Sequence, residues 1–149
     1  MEIGYLWLAL SLFLFLMTTG AAVALAAVAF PLVRQASEQH FPEAFRLFGR
    51  RKTRSYGFLA LLSFAFCILL TAYPPYSFPD RMMGWMAVVF GLLAVTTLAS
   101  LFMSRKLKRD GFDARLFRQL GLVQWVSVLD WLIGSSLLVY ALVEVVGLV

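Results

Sequence analysis

Cysteine and histidine are almost missing from this chain: 149 residues hold one of each, Cys67 and His40. A lone cysteine closes no internal disulfide, forms no CxxC redox pair and builds no cysteine-based zinc site. Cys67 lies inside an apolar run and reads as a small packing residue. A single histidine excludes a b-type haem held between two intramembrane histidines of this chain. His40 sits in a basic segment, away from any Ser–Asp pair that would make it a hydrolase base. HExxH, a glycine-rich phosphate loop and CxxC are all absent. These gaps argue for a non-enzyme with no catalytic residues, no metal and no cofactor.

Charge is scarce as well. Asp, Glu, Lys and Arg make up 14% of the chain, against roughly 25% in soluble proteins. Apolar residues make up 62%, against roughly 45–50%. A chain this short keeps too much surface for its volume to hide that much apolar area from water. The bilayer has to serve as part of its solvent.

What is present is organised into four apolar runs, at about 5–33, 56–73, 82–103 and 120–148. About 20 apolar residues cross a hydrocarbon core of about 30 Å as a helix. Strand alternation is missing, so helices are the one way to satisfy the backbone in lipid. The first run is preceded by an acidic residue, Glu2, and is long, which reads as a retained helix rather than a secretory signal. The expected fold is therefore all-α: a single domain, 1–149, forming a four-helix transmembrane bundle.

Of the thirteen Lys and Arg residues, twelve fall in Arg34–Arg54 and Arg105–Arg118. The positive-inside rule turns both segments toward the cytoplasm and leaves both termini outside. Trp7, Tyr73, Trp85 and Tyr140 then mark the outer interface. Basic clusters beside apolar spans point to anionic lipid headgroups as partners rather than nucleic acid. The candidate headgroup contacts are Arg50, Arg51, Lys52 and Arg54 in the first segment. Arg105, Lys106, Lys108 and Arg109 are their counterparts in the second. Phe41, Phe45 and Phe48 recur at helical spacing, with Pro42 suited to the first turn, and predict a short amphipathic helix at the headgroups.

Asp130 is the one acid set deep in a run. Ten residues from Tyr140, it lies about 15 Å inward at about 1.5 Å per residue, where a charge costs roughly 2.5–3.5 kcal/mol. Thr18, Thr19, Ser63, Thr96 and Thr97 fall at a similar depth, and Ser127 lies one turn from Asp130. Together they form a candidate intramembrane polar cluster. Asp130 in it is either a proton or cation site, or a structural residue: a hydrogen-bond hub between helices or a contact to another subunit. Small residues at Gly20, Gly84, Gly91 and Gly134 offer surfaces for close helix packing.

With no catalytic constellation, short external links and many packable surfaces, the leading expectation is a non-catalytic subunit, scaffold or assembly factor. Its partners would be other membrane subunits or further copies of itself, in a bacterial inner membrane. Two alternatives stand beside it. One is a small proton- or cation-coupled transporter or channel centred on Asp130. The other is a protein that binds lipid or quinone between its helices.

Overall fold

In the computed structural model, residues 3–35, 40–75 and 78–147 are described. They form four long helices: α1 (Ile3–Arg34), α2 (Phe41–Ala72), α3 (Asp80–Asp110) and α4 (Ala114–Val146). Each is long and apolar enough to cross a membrane. At 31 to 33 residues and about 1.5 Å per residue, each outruns a hydrocarbon core of about 30 Å. The apolar runs are thus the middles of longer helices, whose ends carry the basic residues. Residue 148, the end of the fourth run, lies outside the described residues.

The helix ends have local causes. Asp113 caps α4: its Oδ1 accepts from the backbone N–H groups of Arg115 (2.8 Å) and Leu116 (3.1 Å). That satisfies two of the donors a helix start leaves open. At the other end, the Gly147 N–H returns to the Glu144 carbonyl. Two helices carry a π turn, Leu25–Ala29 in α1 and Thr53–Gly57 in α2. The first precedes Pro31, whose ring would otherwise collide with the preceding turn.

The helices pack in the order α2–α1–α4–α3. α4 is the most buried. Trp131, Leu138 and Ala141 on α4 meet Leu8, Phe15 and Ala22 on α1, and Met86, Val89 and Leu93 on α3. Phe15 is fully buried, with its ring 4.8 Å edge-on from Trp131 and 6.1 Å from Phe90. Gly134 makes that fit possible, since a Cβ there would stand 2.6 Å from Phe15 Cε1. Large apolar side chains such as Phe13, Leu61, Ile68, Leu98 and Phe102 point outward and are more than half exposed. Apolar surface on that scale suits hydrocarbon rather than water.

A second core lies at the end of the bundle that carries the basic residues. Phe41 and Phe45, each 2% exposed, join Val33, Leu107, Phe117 and Leu120. Phe30 stacks on Phe117 at 4.3 Å, and Phe41 meets Phe112 edge-on at 4.7 Å. This corrects the expectation of a separate amphipathic helix with its phenylalanines among headgroups. The segment is helical, but it is the first part of α2, joined to the rest through the π turn Thr53–Gly57, and it turns its aromatic stripe into the bundle. The gain is aromatic burial against α4 that a free interfacial helix would lack.

Three of the four glycines expected to bring helices together have no close neighbour within this chain among the described residues. A Cβ on Gly20, Gly84 or Gly91 would meet nothing within 4 Å. Only Gly134 of that set lies in a tight internal contact.

Candidate functional site

Because α2 and α3 stand at opposite ends of the packing order, a cleft remains between them, floored by α4. Its volume is about 340 Å³, within the range of small-ligand sites. Phe64 of α2 and Phe90 of α3 approach at 5.0 Å and narrow it at the far end. From there it runs toward the basic end of the bundle.

Each wall follows from helical spacing. On α2, Lys52, Tyr56, Ala60 and Phe64 recur every four residues and line the cleft, as positions on one helix face do. On α3, Thr96 and Thr97 are followed by Ser100, Ser104 and Lys108, again four apart, and all line it. The floor is Val123, Gln124 and Ser127. The cleft is mostly apolar, and its charge lies toward one end. Lys52, Ser100, Ser104, Lys108 and Gln124 sit among Phe45, Phe48 and Leu101 there, while Ala60, Leu61 and Phe64 share the other end with Thr96 and Thr97. Leu61 and Leu101 are also exposed on the outer surface, so the cleft opens sideways between the helices.

Lys52 spans the cleft. Its ammonium donates to Gln124 Oε1 at 2.8 Å and to Ser100 Oγ at 3.0 Å, tying α2 to α4 and α3 at once. Gln124 is buried, so this bond satisfies an oxygen that water does not reach. One turn farther along, Trp131 Nε1–H donates to Tyr56 Oη at 2.7 Å, and Tyr56 Oη pairs with Ser127 Oγ at 3.2 Å. That chain holds Tyr56 against the floor. The π turn Thr53–Gly57 contains Tyr56 and Gly57, both part of the wall. Such turns interrupt regular helices and recur at functional sites.

The expected polar layer exists in part, but not as one cluster around Asp130. Thr18 pairs with Ser63 at 2.9 Å, joining α1 to α2. Thr19 pairs with Ser135 at 3.0 Å, joining α1 to α4. Ser127 pairs with Tyr56, and Thr96 donates back to the Leu93 carbonyl at 3.1 Å. Thr97 faces the cleft. Asp130 is 5% exposed, and its Oδ2 is buried with no hydrogen-bond partner among the described residues. As a hydrogen-bond hub it is displaced by these separate pairs, because each hydroxyl finds a nearer partner on a facing helix or on its own backbone.

The expected headgroup cations also divide. Lys52 and Lys108 line the cleft. Arg50, Arg51, Arg54, Arg105, Lys106 and Arg109 are exposed on the outside, and Arg109 pairs with Asp110 at 2.7 Å. Tyr56, Ser100 and Ser104 were not singled out from the sequence. The four-residue rhythm of Thr96, Ser100, Ser104 and Lys108 was a visible signal for the α3 wall. No comparable signal pointed to Tyr56. Among the described residues, no group of His, Cys, Asp and Glu is arranged to hold a metal ion.

Comparison with protein-family models, with curated proteins and with solved structures finds no match to this chain. Its function has to be read from the chemistry of the cleft.

Proposed function

We propose that this chain is a membrane protein that holds a lipid or quinone in the cleft between α2 and α3. The observation that carries the reading is the lining of that cleft, mostly apolar and open sideways, with both of its cations and the Lys52 hydrogen bonds toward one end. An amphiphile entering from the bilayer meets mostly apolar walls, with the cations toward one end. Ligand sites of this kind combine mostly apolar walls with a few placed polar groups. The distribution of Lys and Arg favours an orientation with the charged end at the cytoplasmic face and both termini outside. It also fits residence in a bacterial inner membrane. The reading assigns the chain a binding role and no catalytic step.

The test is extraction of the full chain in mild detergent, followed by mass spectrometry of the retained lipids and quinones. One amphiphile per chain is expected, lost in Ala60→Phe and Thr97→Phe, which fill the cleft from opposite walls. An amphiphile retained equally by both variants, or none retained by the wild type, would overturn the reading.

A second role is favoured by the open glycines. Gly84 and Gly91 lie seven residues apart on α3, and a Cβ on either would meet nothing. Small residues on an outward face let another helix approach closely. This supports the subunit or scaffold reading, with another membrane subunit or a second copy of this chain against α3. Affinity purification from native membranes tests it. Stoichiometric membrane partners or a homo-oligomer support the role, and a monodisperse monomer opposes it.

A further inference from the structure

The charged end of the cleft has one sign. Lys52 and Lys108 both line it, and no lining residue is acidic among the described residues. Neither lysine is in an ion pair among the described residues. A lysine ammonium carries three donors. Lys52 directs one to Gln124 and one to Ser100, both neutral acceptors, so one N–H and the whole charge remain for something else. Lys52 stands on α2, and Lys108 reaches toward α2 from α3. Lys108 Nζ lies beside Gly49, 3.3 Å from where a Cβ would stand. Gly49 precedes Lys52 by three residues, and such positions are neighbours on a helix surface. Ser100 and Ser104 add hydroxyls on the facing wall.

We infer that the cleft selects an amphiphile with an anionic head, a phosphate or a carboxylate, seated between Lys52 and Lys108. This rests on the lipid-binding reading above and adds the chemistry of the head. The charge argument is direct. A cation held partly out of water lacks its solvation and gains most from an anion brought beside it. A neutral quinone head would leave the half-buried Lys52 ammonium uncompensated, while Lys108 stays solvated at the mouth. The chain of the ligand then runs along α2 from Lys52 toward Phe64, about 18 Å at about 1.5 Å per residue. A cleft of about 340 Å³ accommodates a head and part of one chain. The rest of the ligand extends past Leu61 and Leu101 into the bilayer.

The test is native mass spectrometry of the full chain released from detergent micelles. The probes are palmitate, dioleoyl phosphatidate, dioleoyl phosphatidylcholine and a short-chain menaquinone, supplied at equal concentration. Wild type should retain one palmitate or phosphatidate per chain, preferred over phosphatidylcholine and menaquinone by about tenfold or more, the scale of one charge-assisted hydrogen bond. Which of the two anions wins identifies the head as carboxylate or phosphate. Lys52→Gln and Lys108→Gln should each remove most of that preference, and Lys106→Gln, an exposed cation on the same helix, should not. Lys108 is exposed at the mouth, so its variant tests the head even if Lys52→Gln weakens the fold.

Equal retention of neutral and anionic probes would overturn the anionic assignment and leave the lipid-binding reading intact. An equal loss in Lys106→Gln would overturn it too, by reducing the preference to general surface charge. Absence of any one-to-one ligand would overturn both readings.

Discussion

Gly134→Ala is a severe change for a single methyl group. The new Cβ would stand 2.6 Å from Phe15 Cε1 and 3.2 Å from Val89 Cγ1, where carbon atoms normally sit about 3.5–4.0 Å apart. The Phe15 ring would have to withdraw by roughly 1 Å. It has little room, since it is fully buried with Trp131 and Phe90 as ring neighbours. Overpacking of this kind costs about 1–3 kcal/mol. Replacing a helical glycine by alanine returns up to about 1 kcal/mol of helix propensity. The net loss should be about 1–2 kcal/mol. Reversible unfolding in mixed detergent micelles, followed by helical circular dichroism, measures it. Phe15→Leu in the same chain should relieve the clash, so the double variant should be more stable than the sum of the single changes predicts. A Gly134→Ala protein as stable as wild type, or strict additivity with Phe15→Leu, would refute the packing argument.

Lys52→Met and Gln124→Leu should each destabilise the bundle, and their double-mutant cycle should show a coupling of about 1.5–3 kcal/mol, the range of a charge-assisted hydrogen bond; a coupling near zero would separate the two residues. Thr19→Val and Ser135→Ala should show a coupling of about 0.6 kcal/mol in the same unfolding assay, the average for hydrogen bonds between membrane helices, and a coupling near zero would count against the pair. Asp130→Leu should raise stability by about 1–3 kcal/mol, because it removes a buried oxygen that has no partner. A loss of that size would mean that Asp130 is paired in the membrane, for instance across a subunit contact. Asp113→Ala should lower stability by about 1 kcal/mol through loss of the α4 cap, and an unchanged unfolding midpoint would count against that cap.

Four membrane-length helices could be read directly from the sequence because the signal is local. A run of about 20 apolar residues is long enough whatever it packs against, and the α4 cap is equally local, needing Asp113 only two and three residues from the amides it binds. Helix order was not legible, for a reason particular to membrane chains. In a soluble helix the apolar stripe marks the buried side. Here both sides of each helix are apolar, so periodicity could not say that α1 and α4 meet or that α2 and α3 stand apart. The cleft comes from that arrangement alone.

Tertiary structure also chose among equivalent polar groups. Depth placed Thr18, Thr19, Ser63 and Asp130 together, but depth carries no azimuth. The fold paired Thr18 with Ser63 and Thr19 with Ser135, and left Asp130 without such a bond. The same holds for the eight candidate headgroup cations, which look alike in sequence. Only Lys52 and Lys108 face the cleft, since each sits at the four-residue repeat of the wall it ends. Composition and spacing by themselves determined four helices long and apolar enough to span a membrane, with twelve of the thirteen Lys and Arg residues in two segments. Which helices touch, and hence where those two cations meet an apolar groove, was decided by side-chain shape, in contacts such as Phe15 against Gly134 that join residues far apart along the chain.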